Sequence, residues 1–269
     1  MRVGAVLRGD EGADFGGVGT APDLAAVSLS FDRVSMRFPD GTAALDDVSL
    51  ELRAGEFVSI VGPSGCGKST LLKIASGLFA QTSGTVQVDR DHLGYTFQDA
   101  TLLPWRKVLG NVELLMELRG MPADERRRIA REQISLVGLD GFADHYPKRL
   151  SGGMRMRVSL ARSLALNPSV FMFDEPFGAL DEITRERLND ELLALYMRKR
   201  FTGLFVTHSI SEAVYLSSKV VVMSRRPGRI LEVFDIPFAY PRAPELRYAP
   251  EFSTLSGEIS LALRAAIET

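Results

Sequence analysis

The sequence predicts an α/β fold built around a phosphate-binding loop, and three segments carry that prediction. Residues 57–61 form an apolar, β-branched run that is typical of a buried strand. Residues 62–70, GPSGCGKST, follow directly and match the glycine-rich loop that ends in Lys and Ser. A second apolar run, 170–173, ends in Asp174 and Glu175. Since α/β sheets place ligands at the carboxyl ends of their strands, we expect the loop and the acidic pair to share one site.

The phosphate loop has the residue types that a nucleotide requires. Its glycines let the backbone turn so that several N–H groups converge, and the helix expected near Lys68 adds the positive end of its dipole. Lys68 can reach the β- and γ-phosphates, and the Ser69 hydroxyl can ligate Mg²⁺. The alternative is a glycine-rich turn that precedes a helix by chance. The expected nucleotide contacts are Gly62, Pro63, Ser64, Gly65, Cys66, Gly67, Lys68, Ser69 and Thr70.

A serine-glycine-glycine turn, Leu150-Ser151-Gly152-Gly153, lies between the phosphate loop and the acidic pair. With these motifs in this order, the chain resembles the ATP-binding subunits of ABC transporters. The resemblance implies a phosphate-loop NTPase core with an antiparallel β subdomain and a helical subdomain. It also implies that Ser151, Gly152 and Gly153 contact the ATP of a second copy. We therefore expect a dimer with a second, identical ATPase subunit.

The resemblance also assigns roles around the γ-phosphate of ATP. Asp174 belongs to the Mg²⁺ shell, usually through water, and Glu175 polarises the attacking water. Gln98 meets the metal and that water, and His208 contacts the γ-phosphate. Alone, these residues have plainer interpretations: an exposed strand end or helix cap for the acidic pair, a solvated amide and a surface histidine. The implied catalytic residues are Glu175, His208, Gln98 and Lys68, and the implied metal ligands are Ser69, Gln98 and Asp174.

Other positions follow or depart from the family pattern. Phe38, on a strand expected over 29–38, matches the aromatic residue that stacks on adenine; an ordinary core phenylalanine is the alternative. Residues 179–181 match the loop that crosses the dimer interface. Met154 stands where Gln is common, and Gly178 where many members have Ser. Neither change removes a group that contacts phosphate.

Length and composition fit one catalytic domain. The chain has 269 residues, 45% of them hydrophobic, with a net charge of −2 that invites no nucleic acid. A single cysteine excludes an internal disulfide and suits a reducing compartment. No apolar run approaches the ~20 residues of a membrane span, and no signal-peptide pattern opens the chain. We expect a peripheral protein at the cytoplasmic face of the cell membrane, where a transmembrane permease is its partner.

We divide the chain into a flexible tail over 1–26, an ABC ATPase domain over 28–236 and a short C-terminal extension over 237–269. Within the ATPase domain, helical periodicity from about 102 to 166 predicts the helical subdomain. Its last helix is expected to start at 150–153. Helices are predicted over 111–119, 123–137, 181–200, 209–217 and 258–267. Strands are predicted within 28–61 and over 85–88, 94–97, 170–173, 204–207, 220–223 and 230–233.

Cys66 and Trp105 can each be interpreted in two ways. Cys66 lies beside Lys68 and a helix N-terminus, which favours a reactive thiolate; a buried, inert cysteine is the alternative. Trp105, the only tryptophan, follows Gln98 in the chain. Related transporters receive a short permease helix near this position, and Trp105 is suited to anchor it. The alternative is a core residue of the helical subdomain.

Local strings narrow the resemblance to the nitrate, sulfonate and taurine importer group. They are LLPW at 102–105, FVTHS at 205–209 and RPGRI at 226–230. The stretch after 236 is too short for the regulatory domain of maltose-type importers. The implied function is ATP binding and hydrolysis that energises an importer of such a small solute, with a solute-binding protein as an indirect partner. The alternatives are an ATPase for another importer, a non-transport ABC ATPase and a small-molecule kinase.

Overall fold

The structure, a computed structural model, describes residues 26–268. The predicted tail over 1–26 lies outside the described residues except for its last position. The strands are β1 (Val27–Arg37), β2 (Ala43–Arg53), β3 (Phe57–Val61), β4 (Ser83–Val88), β5 (Leu93–Thr96), β6 (Val170–Asp174), β7 (Thr202–Val206), β8 (Lys219–Met223) and β9 (Ile230–Asp235). The helices are α1 (Lys68–Ala75), α2 (Val108–Leu118), α3 (Ala123–Leu136), α4 (Gly152–Leu164), α5 (Glu182–Lys199), α6 (Ile210–Leu216) and α7 (Pro250–Glu268).

A six-stranded sheet forms the core, in the order β5-β6-β7-β3-β8-β9. Its strands run parallel except β9, which pairs antiparallel with β8. All residues of β3, β6 and β7 are buried, as expected for parallel strands covered on both faces. Because the carboxyl ends of these strands lie at one edge, the phosphate loop, Asp174 and His208 are brought to the same side of the sheet.

A separate antiparallel sheet has the order β2-β1-β4. The inward residues of β1, among them Leu29, Phe31 and Val34, share one apolar cluster with Leu71 and Leu72 of α1. This sheet therefore packs on the helix that begins at the phosphate loop. The predicted α/β fold with an antiparallel β subdomain is confirmed.

The segment predicted as the helical subdomain contains α2, α3 and α4, which pack on one another. Their buried residues Val112, Met116, Ala130, Ile134 and Val158 belong to the main apolar cluster. Apart from a short 3₁₀ turn at Pro147–Arg149, the stretches between these helices are not helical. The boundaries of the subdomain stay a prediction.

The C-terminal helix is longer than predicted. We expected 258–267, whereas α7 begins at Pro250. Proline suits the first helical turn, and Phe252, Ile259 and Ala266 are buried at seven-residue intervals along one face. Pro250 and Gly257, which disfavour a helix interior, hid this face from sequence reasoning. Among the described residues, no helix is both long enough and apolar enough to cross a membrane.

The C-terminal extension is bonded to the core. The guanidinium of Arg242, buried, donates to the carbonyl oxygens of Val214, Tyr215 and Ser217 at 2.8–3.0 Å. These carbonyls end α6, where a cation complements the negative end of the helix dipole. The extension thus stabilises the helix that follows His208.

Candidate nucleotide site

The phosphate loop joins β3 to α1 and is held from inside by Lys68. The Lys68 ammonium is buried and donates to the carbonyl oxygens of Gly62 at 2.8 Å and Pro63 at 3.0 Å. Gly67 has a φ of 114°, and a Cβ there would clash with Leu45 and the backbone of β2. The loop therefore needs glycine at this position, both for its conformation and for its close packing.

Asp174 and Ser69 form the second part of the site. Asp174 is 7% exposed; its Oδ1 accepts from the Ser69 hydroxyl at 2.7 Å and its Oδ2 accepts from the Tyr95 hydroxyl at 3.2 Å. Burial, with the charge of Asp174, raises the pKa of the Tyr95 phenol, so Tyr95 stays a donor. These hard oxygen groups fit Mg²⁺, which prefers carboxylate, hydroxyl and water oxygens. Sequence reasoning missed Tyr95, which precedes Gln98 on an unremarkable strand.

Glu175 and His208 meet beside that pair. Glu175 follows β6 with a φ of 48°, a conformation uncommon for residues other than glycine. Its N–H donates to the Val206 carbonyl at 2.9 Å, which fixes this turn. Glu175 Oε2 and His208 Nδ1 are 3.3 Å apart, with His208 half exposed. The predicted catalytic carboxylate and histidine are thus in contact.

Polar residues that the sequence did not indicate form hydrogen bonds on both sides of His208 in the chain. Thr207 donates its hydroxyl to Glu212, and the same hydroxyl accepts from the Ser209 N–H at 2.9 Å. Ser209 also caps α6 by accepting from the Glu212 N–H. Burial raises the pKa of Glu212, which is 5% exposed. The motif Ser-x-x-Glu at 209–212 could have suggested this cap.

Gln98 was predicted at the end of a core strand over 94–97, and that boundary was wrong. β5 ends at Thr96, and Gln98 lies exposed in the bend that follows. Arg162 of α4, which is buried, donates to the carbonyls of Ala100 at 3.2 Å and Thr101 at 3.0 Å. The loop that carries Gln98 is thereby attached to α4. Its catalytic and metal roles remain predictions.

Phe38 also lies just outside its predicted strand. β1 ends at Arg37, and Phe38 opens a turn in which its carbonyl accepts from the Gly41 N–H at 2.9 Å. Its ring is partly buried and meets the Phe79 ring edge to face, with centroids 5.9 Å apart. The turn position keeps part of the ring at the surface, where a base can stack on it.

The serine-glycine-glycine turn starts α4 as predicted. Ser151 is the N-cap and accepts from the Met154 N–H at 3.3 Å. Ser151 and Gly152 are exposed, whereas Gly153 is buried against Thr184. In the part of the chain that the structure describes, no hydrogen bond connects this turn to the phosphate loop. Within one subunit, the two motifs are separate.

The thiolate predicted for Cys66 is wrong. Its side chain is 1% exposed and packs in the apolar cluster of the antiparallel sheet. Burial raises the pKa of the thiol, and this effect outweighs the nearby Lys68 charge. The alternative of a buried, inert cysteine is the one that the structure supports.

Trp105 is 70% exposed, which contradicts the alternative of a core tryptophan. Its segment is nevertheless rigid, because the buried Asn111 of α2 bonds to it several times. The Asn111 amide accepts from the Leu103 N–H at 2.8 Å and donates to the Leu103 and Arg106 carbonyls at 3.1 and 2.9 Å. An ordered loop that presents a large aromatic side chain to solvent is typical of an interaction surface.

Comparisons with known proteins agree with this geometry. A family model described as ABC transporter matches residues 45–178. A putative ATP-binding protein of Brucella abortus is 43% identical over 238 residues, covering 86% of this chain and 91% of the relative. The chain belongs to the ATP-binding proteins of ABC transporters. The family assignment expected from the three motifs is confirmed.

Two further comparisons concern activity. The aliphatic sulfonates import ATP-binding protein SsuB of Bacillus cereus is 40% identical over 227 residues, covering 81% of this chain and 89% of the relative. A dimeric ATP-binding cassette in a post-hydrolysis state with ADP and Pi is similar in structure, with a TM-score of 0.70 and 33% identity. The structural alignment covers 78% of this chain and 100% of that cassette. This ABC transporter subunit is an ATPase.

Proposed function

We propose that this subunit hydrolyses ATP to energise an importer of nitrate, sulfonate, taurine or a similar small solute. The observation that carries the proposal is a half-built site: Lys68, Ser69 and Asp174 are assembled within the chain, and Ser151 is exposed elsewhere. The similarity to a sulfonate import ATP-binding protein supports the solute class. An ATPase for another small-molecule importer is the second candidate.

The chain's own residues would bind ATP and position water. Lys68 exchanges its loop carbonyls for β- and γ-phosphate oxygens, and the loop N–H groups neutralise their charge. Glu175 orients and polarises the water for in-line attack, with Gln98 beside it. His208, in contact with Glu175, donates to the γ-phosphate. Phe38 stacks on the adenine ring.

Ser69, Asp174 and Gln98 would hold Mg²⁺, Asp174 through water. The bond between the Ser69 hydroxyl and Asp174 supports this assignment, because it places two oxygen ligands together beside the phosphate loop. When bound, Mg²⁺ supplies positive charge that neutralises the phosphate oxygens.

The second half of each site would come from an identical subunit. Ser151, Gly152 and Gly153 present an open helix N-terminus, which favours an anion such as the γ-phosphate. Ile183, in the first turn of α5 beside the 179–181 loop, is 82% exposed. An exposed isoleucine next to that loop supports a contact with another chain. ATP would then join two subunits, and hydrolysis would release them.

The segment over 102–106 would dock the permease, with Trp105 as the anchor. The bonds of Asn111 pre-order this segment, so binding costs less conformational entropy. Arg162 attaches the loop before it to α4, whose N-cap is Ser151. Docking, the Gln98 loop and the ATP contact of the partner subunit are therefore connected through one helix. The subunit would act at the cytoplasmic face of the membrane, and a solute-binding protein would deliver the solute.

To test the proposal, the subunit is reconstituted in vesicles with the permease encoded by a neighbouring gene, and solute uptake driven by ATP is measured. Uptake of labelled taurine or nitrate that requires internal MgATP is the expected result. ATPase activity that responds to the permease, with uptake of a different solute, would favour the second candidate. ATPase activity indifferent to every permease would contradict transport.

A further inference from the structure

The turn between β8 and β9 lies directly against the phosphate loop. It spans residues 224–229 and carries three arginines. Nε and Nη2 of Arg226 both donate to the carbonyl oxygen of Gly65, at 3.2 and 3.0 Å. Turn and loop line the same open cleft. The guanidinium is therefore placed on the tip of the loop that binds phosphates.

The turn itself is closed by its own hydrogen bonds. The Ser224 N–H donates to the Arg229 carbonyl at 2.9 Å, and the Arg229 N–H donates to the Ser224 hydroxyl at 2.9 Å. The single O–H of Ser224 lies within hydrogen-bond distance of the Arg225 and Pro227 carbonyl oxygens, at 2.8 and 3.1 Å. Arg226 thus extends from a backbone that is fixed on both sides.

The turn is also wedged between the phosphate loop and β2. A Cβ at Gly228 would clash with the Cys66 carbonyl oxygen, so only glycine permits this approach. The Gly228 N–H donates to the Ala44 carbonyl at 2.9 Å, and Arg229 forms an ion pair with Asp46. Contacts on two sides make the turn a connection from the antiparallel sheet to the phosphate loop.

The orientation of the Gly65 peptide matters for phosphate binding. A phosphate loop attracts anions through N–H groups, and a carbonyl oxygen turned toward the phosphates would repel them. Gly65 has a φ of 74°, and glycine has more backbone freedom than other residues. A restraint on this peptide would therefore keep its carbonyl from turning toward the phosphates.

We propose that Arg226 is a positioning residue for ATP, which holds the Gly65 carbonyl turned away from the phosphates and so keeps the loop ready to bind. The proposal rests on the ATP site described above. Arg226 does not need to touch the nucleotide. Since the restraint is the same in the ground state and the transition state, its loss should raise the Kd and KM for ATP and leave kcat nearly unchanged.

The test compares Arg226→Ala, Arg226→Lys and Arg225→Ala by ATP titration and steady-state ATPase kinetics. Arg225 is the matched control: it is adjacent and exposed, and among the described residues its side chain has no hydrogen-bond or ion-pair partner. We expect Arg226→Ala to raise Kd and KM about tenfold, as for a lost charge-assisted hydrogen bond. Arg225→Ala should leave them unchanged. Arg226→Lys should restore part of the affinity, because an ammonium still donates to one carbonyl.

Two results would overturn the proposal. Equal losses in Arg225→Ala and Arg226→Ala would indicate a general attraction of ATP to positive charge. A lower melting temperature of nucleotide-free Arg226→Ala with wild-type Kd would indicate a merely structural role. Wild-type protein that fails to bind ATP would instead contradict the proposed function, and the first titration shows this before any variant is compared.

Discussion

The two halves of the proposed ATP site differ in how much of each the chain builds alone. Lys68 and Asp174 are 5% and 7% exposed, and both are hydrogen-bonded within the subunit. Ser151 and Gly152 are exposed, and the Ser151 hydroxyl accepts from the Met154 N–H of its own helix. Folding therefore orders the first half, whereas the proposed second half is an exposed surface of the subunit. If the proposed function holds, ATP binding is a property of one subunit and hydrolysis needs two.

The largest expected effect comes from the first half of the site. Glu175→Gln keeps the shape of the side chain and removes the charge that, in the proposed function, polarises the attacking water. ATP should still bind and join two subunits, because Lys68 and the loop are untouched. Hydrolysis should fall at least about a hundredfold, the usual loss for a positioned general base.

Phosphate release and size-exclusion chromatography with MgATP measure the two effects separately. Glu132→Gln, which changes an exposed carboxylate on α3, is the control. Near-normal turnover in Glu175→Gln would show that Glu175 is not the residue that polarises the attacking water.

Gly152→Asp tests the second half of the site. An acidic residue in the first turn favours a helix, so α4 should remain folded. The new charge would face the γ-phosphate of the partner's ATP. Because juxtaposed like charges cost several kcal/mol, hydrolysis should fall at least about thirtyfold. The Kd of a single subunit for ATP should match wild type. A variant that still dimerises with ATP would contradict the assignment of residues 151–153 to the second half of the site.

The sequence predicted the motif-bearing parts of the molecule well, because their chemistry is local. Lys68, Ser151 and Asp174 lie on the predicted loop, helix start and strand. One error concerns tertiary packing. Burial in the apolar cluster beside the antiparallel sheet raises the pKa of the Cys66 thiol, and the proximity of Lys68 in sequence could not reveal that burial.

Other features of the site depend on residues distant in sequence. Tyr95 reaches Asp174 only because β5 and β6 are neighbours in the sheet. Arg226 reaches Gly65 across more than half of the chain. Periodicity reports which face is apolar, but it does not report which polar side chains converge.

Trp105→Ala extends the comparison to a second exposed surface, the segment at 102–106 that we propose binds the permease. With 70% of Trp105 exposed, the free energy of unfolding should change by no more than about 0.5 kcal/mol. Solute transport with the permease should fall about tenfold, as for loss of an interface anchor. Thermal melting and vesicle uptake measure the two quantities. Asn111→Ala, by contrast, should lower the melting temperature, because it removes the acceptor of the Leu103 N–H and the side-chain donor to the Arg106 carbonyl.

The smallest expected effect is at Gly178, where many family members have serine. A Cβ at this position would lie 3.4 Å from the Glu175 carbonyl oxygen and from His208 Cε1, and 3.7 Å from Glu175 Oε2. These are ordinary contacts, so Gly178→Ser fits without moving the Glu175–His208 pair. Its hydroxyl could donate to Glu175 without replacing any existing bond. We expect kcat and KM within about twofold of wild type, the range of substitutions that create no clash or buried unpaired group. A tenfold loss would show that the first half of the site is packed so tightly around Glu175 that even a hydroxyl displaces it.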